Sequence, residues 1–223
     1  YTITDKTILA LSAKAQTLPL QWYNLSTTQW VVIHQGNEQH ISALIACGVE
    51  AVPVRRESEI QSIDALVLPG GESTTIAQLS EVFGIYDLLK QRIASGMPVY
   101  GSCAGMILLA TEILDAKVGQ KSFGGLDISV RRNAFGRQVD SFESDIEFAD
   151  GSQELIRAVF IRAPWVEKVG DAVQVLASID SHPVAVRSHT ALATSFHPEL
   201  TGDHRIHRYF IEHVARPALE KVK

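Results

Sequence analysis

Only two of the 223 residues are cysteine, Cys47 and Cys103. At most one disulfide can form, and a chain of this size does not depend on one, so a reducing compartment, the cytoplasm, is expected. No apolar run approaches the roughly 20 residues that a membrane span requires. The stretch Ile8 to Leu11 is too short for the apolar core of a signal peptide. Positive charge is also in short supply: 20 Lys and Arg stand against 25 Asp and Glu, a formal net charge of −5. Such a chain has no general attraction for phosphate backbones, and nucleic acid is not an expected partner. The 15 glycines follow no fixed period, which excludes a collagen-like or repeat fibre. No linker, repeat or low-complexity tract divides the chain.

What remains is apolar material for a substantial core, at 46% of residues. Residues 1–29 have weak periodicity and read as an N-terminal extension; residues 30–223 read as one domain. From Trp30 onward short apolar runs alternate with helical segments. Trp30–Ile33, Val49–Val54, Ala65–Leu68 and Pro98–Tyr100 have the continuous apolar character of strands buried on both faces. Helical spacing is found over Glu38–Cys47, Ser73–Leu79, Ile85–Ala94 and Ala104–Leu114, and Cys47 lies on the apolar face of the first. The second half is rich in strand-like runs: Asp127–Arg131, Phe142–Phe148, Ala158–Ile161, Val173–Ile179, Val184–Arg187 and Ala191–Phe196. A last helix over Asp203–Val214 would bury Ile206, Tyr209, Phe210, His213 and Val214. The pattern predicts an α/β fold, a three-layer αβα sandwich with a mixed, largely parallel central sheet.

Three segments carry chemistry. Val99-Tyr100-Gly101-Ser102-Cys103-Ala104-Gly105 joins a strand to a helix and has the form of a nucleophile elbow with cysteine at its apex. Gly101 and Gly105 are needed where a Cβ would strike a neighbouring element, and the helix N-terminus favours a thiolate. Ser195-Phe196-His197-Pro198-Glu199-Leu200 follows a strand. Its histidine can act as general base to a cysteine, and its carboxylate can orient that histidine. Leu68-Pro69-Gly70-Gly71-Glu72-Ser73-Thr74 runs from a strand end into a helix; its glycines allow a backbone N–H to face an oxyanion, and Ser73 can cap the helix. A phosphate-binding loop would need a Gly-Lys-Ser/Thr run that is absent here. His204 and His207 have a metal-compatible spacing, but no further ligand cluster accompanies them, so neither a metal nor a cofactor is expected.

These three segments, in this order, resemble the class I glutamine amidotransferases. Met106, in Cys103-Ala104-Gly105-Met106-Ile107, replaces the Gln that many of those enzymes carry three residues after the nucleophile. That variant, with Arg131-Arg132-Asn133-Ala134-Phe135-Gly136-Arg137-Gln138 and Val159-Phe160-Ile161-Arg162-Ala163-Pro164, resembles the glutaminase subunits of pyridoxal 5′-phosphate synthases. The likeness runs from about Val31 to the C-terminus. The chain departs from it in carrying His34 where those subunits have Leu, and Ser188-His189 where they tend to have Gln-Gly.

The resemblance implies a glutaminase that releases ammonia through a glutamyl thioester. Cys103 is the implied nucleophile, His197 its base and later its acid, and Glu199 the residue that orients His197. Backbone N–H groups of Gly71 and Ala104 form the implied oxyanion hole. Gly71, Glu72, Ser73, Arg132, Ile161 and Arg162 are the implied glutamine-binding residues, while Arg137 and Gln138 are structural or interface residues. The implied partner is a (β/α)8-barrel synthase subunit in a large hetero-oligomer, which receives the ammonia and whose docking completes the oxyanion hole. The alternatives are a glutaminase serving a different synthase or a cysteine hydrolase of related fold, and a non-catalytic binding or regulatory subunit; the presence of Cys103, His197 and Glu199 together argues against the last.

Overall fold

The computed structural model describes residues 29–33, 38–132, 134 and 141–221. In chain order its first half holds β1 (Gln29–Ile33), α1 (Glu38–Ala46), β2 (Glu50–Val54), α2 (Glu57–Ser62), β3 (Ala65–Leu68), α3 (Ser73–Val82), α4 (Tyr86–Ala94), β4 (Val99–Ser102) and α5 (Ala104–Leu109). Then follow β5 (Ala110–Ile113), β6 (Leu126–Arg131), β7 (Ser141–Ile146), β8 (Ile156–Ile161), β9 (Trp165–Val169), β10 (Gln174–Ile179), β11 (His182–Arg187) and β12 (Ala191–Thr194). A 3₁₀ turn (Pro198–Leu200) leads to α6 (Arg205–Tyr209), a π-helical segment (Phe210–Ala215) and α7 (Arg216–Glu220).

Seven strands form the main sheet in the order β10-β11-β12-β4-β3-β1-β2. The five from β12 to β2 are parallel, and β11 and β10 add antiparallel to the β12 edge. Alternation along the central strands builds the layers. Leu66 and Leu68 of β3, Val99 of β4, and Ala191 and Ala193 of β12 enter one apolar cluster, with Ile76, Leu89, Ile93, Met106 and Leu108 from the helices of that side. Ala65 and Val67, Tyr100 and Leu192 point the other way, onto Leu44 of α1 and Ile206, Phe210 and Val214 of the C-terminal helical run. Each fully buried Leu in these clusters contributes about 2 kcal/mol of apolar burial. The two small sheets divide likewise: β5-β6-β9 supplies Leu126, Ile128 and Val166 to the first cluster, and β7-β8 supplies Ile146, Ile156 and Phe160 to the second. The αβα sandwich with a mixed, largely parallel sheet is therefore as expected.

Local differences have local causes. The helix after Cys103 ends at Leu109 rather than Leu114, because residues 110–113 pair in parallel with β6 and the N–H of Phe123 caps the Leu108 carbonyl. Strand β9 is not evident in the sequence pattern; Glu167 and Lys168 interrupt its apolar run, and Glu167 meets Arg131 of the adjacent strand β6. Helix α2 is likewise not evident. It buries only Ile60, and its first turn is closed by the Glu59 carboxylate, which accepts from the N–H groups of Arg55 and Arg56 at 2.7 and 2.9 Å. The C-terminal helical run continues to Glu220, past Pro217, which has no N–H for the His213 carbonyl; Arg187 donates to that carbonyl at 3.2 Å instead. His213 is exposed, not buried. Cys47 is half-buried rather than core. Residues 1–28, His34, Arg137 and Gln138 lie outside the described residues, whereas Ser188 turns β11 into β12 by accepting from the N–H of Ala191, and His189 meets the Lys221 ammonium at 3.2 Å.

Candidate active site

Three neighbouring parallel strands, β3, β4 and β12, end level with one another, for Leu68 is opposite Gly101 and Thr194 is opposite Ser102. The three segments singled out in the sequence leave the sheet from these carboxyl ends, where open α/β sheets place their ligands. Cys103 is the hinge between β4 and α5, with φ 50° and ψ −100°, a strained backbone for a residue with a Cβ. Its N–H donates to the Thr194 carbonyl at 2.7 Å, which ties the elbow to β12. The flanking glycines have steric reasons. A Cβ on Gly101 would stand 2.5 Å from the Gly105 carbonyl carbon, and one on Gly105 would collide with the Leu68 carbonyl. The elbow therefore closes only because both positions lack a side chain.

His197 follows β12 and is held by its own N–H, which donates to the Val159 carbonyl of β8 at 2.9 Å. Its Nδ1 lies 2.7 Å from Glu199 Oε1, and the ring interacts electrostatically with the Cys103 side chain. Gly70 lets the ring come this close, since a Cβ there would overlap His197 Cε1. Burial alone would pull the imidazolium down, but Cys103 and Glu199 outweigh it and push the His197 pKa up to about 10. Burial would likewise raise the Glu199 carboxyl; the His197 hydrogen bond and the nearby His40 outweigh it and hold the acid well below the usual carboxylate range. Glu199 Oε2 also faces Ser102 Oγ at 3.4 Å and His40 Nε2 at 3.3 Å. Cys103, His197 and Glu199 are thus brought together, an arrangement chemically able to supply a nucleophile, a proton carrier and an orienting charge.

The other flank of Cys103 is polar and wetter. Gly71 leaves β3 with φ +136°, open to solvent, and Ala104 begins α5, so its N–H has no partner within the helix. Glu72 caps α3, accepting from the Thr75 N–H at 2.7 Å and the Thr75 hydroxyl at 2.9 Å. Partial burial raises this acid, but those hydrogen bonds bring it down to about 2. Arg132 Nη2 donates to Glu72 Oε1 at 3.0 Å and Nη1 donates to Gln120 Oε1 at 2.6 Å, while Gln120 donates to Ser73 Oγ at 3.0 Å. Glu72, Ser73 and Arg132 are therefore joined through Gln120. Ile161 ends β8 with its carbonyl 3.9 Å from Cys103 Sγ. Arg162, exposed and at φ 45°, turns the chain away immediately afterwards. Every site residue anticipated in the sequence lies at this sheet edge or on the strand ends beside it. Gln120 and His40 carry no such signal: isolated polar residues belong to no motif, and only the fold brings them here.

The family model of the SNO glutamine amidotransferases matches residues 31–216. The chain belongs to this family. Within the family, it is 57% identical over 185 residues to the pyridoxal 5′-phosphate synthase subunit PdxT of Mycobacteroides abscessus, with 82% of this chain and 95% of that one covered. The PdxT of Streptomyces coelicolor is 56% identical over 185 residues, covering 82% of this chain and 92% of its own. A crystal structure described as a glutamine amidotransferase superposes with a TM-score of 0.76 at 44% identity, covering 82% of this chain and 98% of that chain. The fold also matches a putative GMP synthase subunit from Thermoplasma acidophilum, with a TM-score of 0.59 at 18% identity, covering 89% and 97% of the two chains. Among the described residues no helix is long and apolar enough to cross a membrane.

Proposed function

We propose that this chain is the glutaminase subunit of a pyridoxal 5′-phosphate synthase. The observation that carries the reading is the Cys103 elbow beside His197, whose Nδ1 is 2.7 Å from Glu199 Oε1, in a chain of the glutamine amidotransferase family. Cys103 Sγ attacks the side-chain amide carbon of L-glutamine and forms a tetrahedral intermediate. N–H groups of Gly71 and Ala104 receive its oxyanion, each such donor being worth about 3 kcal/mol of barrier. The C–N bond breaks as His197, having taken the thiol proton, gives it to the departing nitrogen, and ammonia leaves. A water molecule, deprotonated by His197, then hydrolyses the thioester to glutamate, and the proton passes from His197 back to the departing sulfur.

Glutamine carries a carboxylate and an ammonium, so its site needs groups of both signs. Arg132 and Arg162 suit the carboxylate, Glu72 the ammonium, and Gly71, Ser73 and the Ile161 carbonyl the intervening polar atoms. The relatives' printed name supports a synthase partner, under this reading a (β/α)8-barrel subunit in a large hetero-oligomer that takes up the ammonia. The free thiols of Cys47 and Cys103 suit a cytoplasmic enzyme. The test is glutamate release from L-glutamine, with and without the synthase subunit. Wild-type protein should be slow alone and faster with the partner, and Cys103→Ala should lose at least about 10,000-fold in both. Undiminished glutamate release by Cys103→Ala would overturn the site; equal rates with and without partner would overturn the coupling.

A further inference from the structure

Behind the candidate triad lie two more imidazoles, His40 of α1 and His207 of α6, both at 0% exposure. They are not accounted for by the chemistry described above. Two buried rings are costly where aliphatic side chains would pack, unless their polar atoms are used. The pair is in line with the triad. His40 Nε2 is 3.3 Å from Glu199 Oε2, the oxygen that His197 does not use, and His40 Nδ1 is 2.8 Å from His207 Nε2. The chain of contacts therefore runs Cys103, His197, Glu199, His40, His207, from the sheet edge into the layer between sheet and helices. Resting on the reading of Cys103, His197 and Glu199 given above, we propose that His40, held in one tautomer by His207, is a positioning residue that fixes the plane of the Glu199 carboxylate for His197.

The proton inventory supports a single arrangement. Glu199 has no proton to give, so the His40 nitrogen that faces it carries one. His207 is pushed down to about 3, chiefly by burial and then by the adjacent His40, and is neutral near pH 7. One proton is shared between His40 Nδ1 and His207 Nε2. If it belonged to His40, His207 would carry its own on Nδ1, which is buried without a hydrogen-bond partner among the described residues. A buried, unpartnered N–H is costlier than an unpartnered lone pair. His207 Nε2 therefore donates, and His40 keeps its proton on Nε2, toward the carboxylate. His40 Nε2 likewise has no aligned hydrogen bond among the described residues, but it has the Glu199 carboxylate 3.3 Å away to stabilise its N–H, so it acts on Glu199 mainly through charge and orientation. Ser102 Oγ, 3.4 Å from the same oxygen, assists it.

The groups facing this relay are few. Tyr100 of β4 places its ring edge-on to both imidazoles, with centroids 6.0 and 5.9 Å away, and burial pushes its phenol well up, so it stays neutral. His204 approaches His207 at 6.5 Å between centroids, and Asp203 acts on His207 by charge alone. His197 faces Cys103 and Glu199. The largest charge effects on Glu199 come from His197 and His40, and His40 is the largest on His207, so removing the His40 N–H should be felt by Glu199 and then by His197.

The test uses the full chain in the presence of its synthase subunit, following kcat, KM and the pH dependence of kcat/KM for glutamine hydrolysis. In His40→Leu kcat should fall about tenfold, the effect of losing one hydrogen-bond-strength contact. KM should stay within twofold, because glutamine is not touched. A less firmly held carboxylate supports the His197 imidazolium less, so the alkaline limb should move about one pH unit toward acid. His40→Gln returns an N–H to the same place and should recover kcat to within about threefold of wild type, with the limb restored. His207→Leu, which frees the His40 tautomer without touching Glu199, should fall between the two. Should His40→Leu fail to fold, His40→Gln against His207→Leu reads the same two quantities. Wild-type kcat and limb in the Leu variants would overturn the proposal, as would His40→Gln being no faster than His207→Leu. Cys103→Ala run in parallel separates this failure from failure of the triad itself, since a wrong triad would leave Cys103→Ala active.

Discussion

Two carboxylates flank Cys103, and both are held in their charged form by different means. The Glu199 side chain is 7% exposed and the Glu72 side chain 45%. Glu199 keeps its charge in a dry setting because imidazoles face both of its oxygens. Glu72 keeps its charge near water because a helix N-terminus and a threonine hydroxyl bond it. The first arrangement places a fixed charge where it acts strongly on a neighbour, since little water is present to screen it. The second spends the charge on local structure and on aiming Arg132. On the proposed function the dry flank serves proton transfer and the wet flank recognition, and substitutions on the two should separate into effects on kcat and effects on KM or stability.

The sharpest way to break that division is Glu199→Gln. It keeps shape and hydrogen-bonding reach but removes the charge, and kcat should fall about 1,000- to 10,000-fold with KM nearly unchanged. A stability readout accompanies it. His197 has a folded pKa of about 10, above its usual value of 6.5, so its contribution is full below pH 6.5 and is lost as pH rises through 10. Chemical unfolding of wild-type protein should therefore show stability declining over that window. In Glu199→Gln the decline should be shallower. An unchanged slope would mean that Glu199 does not act on His197 as argued.

Gly70→Ala tests geometry with no charge altered. Gly70 is not in the left-handed region, and the nearest atoms an alanine Cβ would meet there are those of the His197 ring. The ring must retreat, and kcat should fall about 100-fold, the scale for a displacement near 1 Å. Circular dichroism and the unfolding midpoint should stay close to wild type. A variant with full activity would show that His197 does not need this approach.

The legible part of the molecule is the part written in consecutive residues. Gly101-Ser102-Cys103-Ala104-Gly105 announces a turn that only glycines can close, and the contacts of Gly101 and Gly105 account for it. His197 and Glu199 are readable because Pro198 fixes them two residues apart on a strand end. The four-residue run of β3 is readable as a buried strand because its residues face two cores in alternation. What escapes depends on partners distant in the chain. Strand β9 is stabilised by Arg131 on β6, and the helix after Cys103 stops because β6 arrives to pair with the chain beyond it. Gln120 and His40 are single polar residues in stretches with other apparent purposes. Their roles come from lying 47 residues from Ser73 and 167 from His207, separations that no periodicity can reveal.

The smallest effect is expected on the wet flank, from Glu72→Ala. The substitution removes the cap of α3 and one of the two partners of Arg132. Loss of such a cap costs about 1 kcal/mol, and solvent around a half-exposed side chain keeps the electrostatic share from exceeding this. For a domain of this size that is about 2–4 °C in Tm. The sign of its pH dependence follows from a folded pKa near 2, below the usual 4.5. The Glu72 contribution is complete above pH 4.5 and is lost as pH falls through 2. Wild type and variant should therefore differ at pH 7 and converge toward pH 2, with KM for glutamine raised severalfold because Arg132 is less firmly aimed, and kcat within twofold. A Tm gap that persists unchanged into acid would assign the loss to packing rather than to the capping charge. A fall in kcat matching that of Glu199→Gln would erase the division between the two flanks.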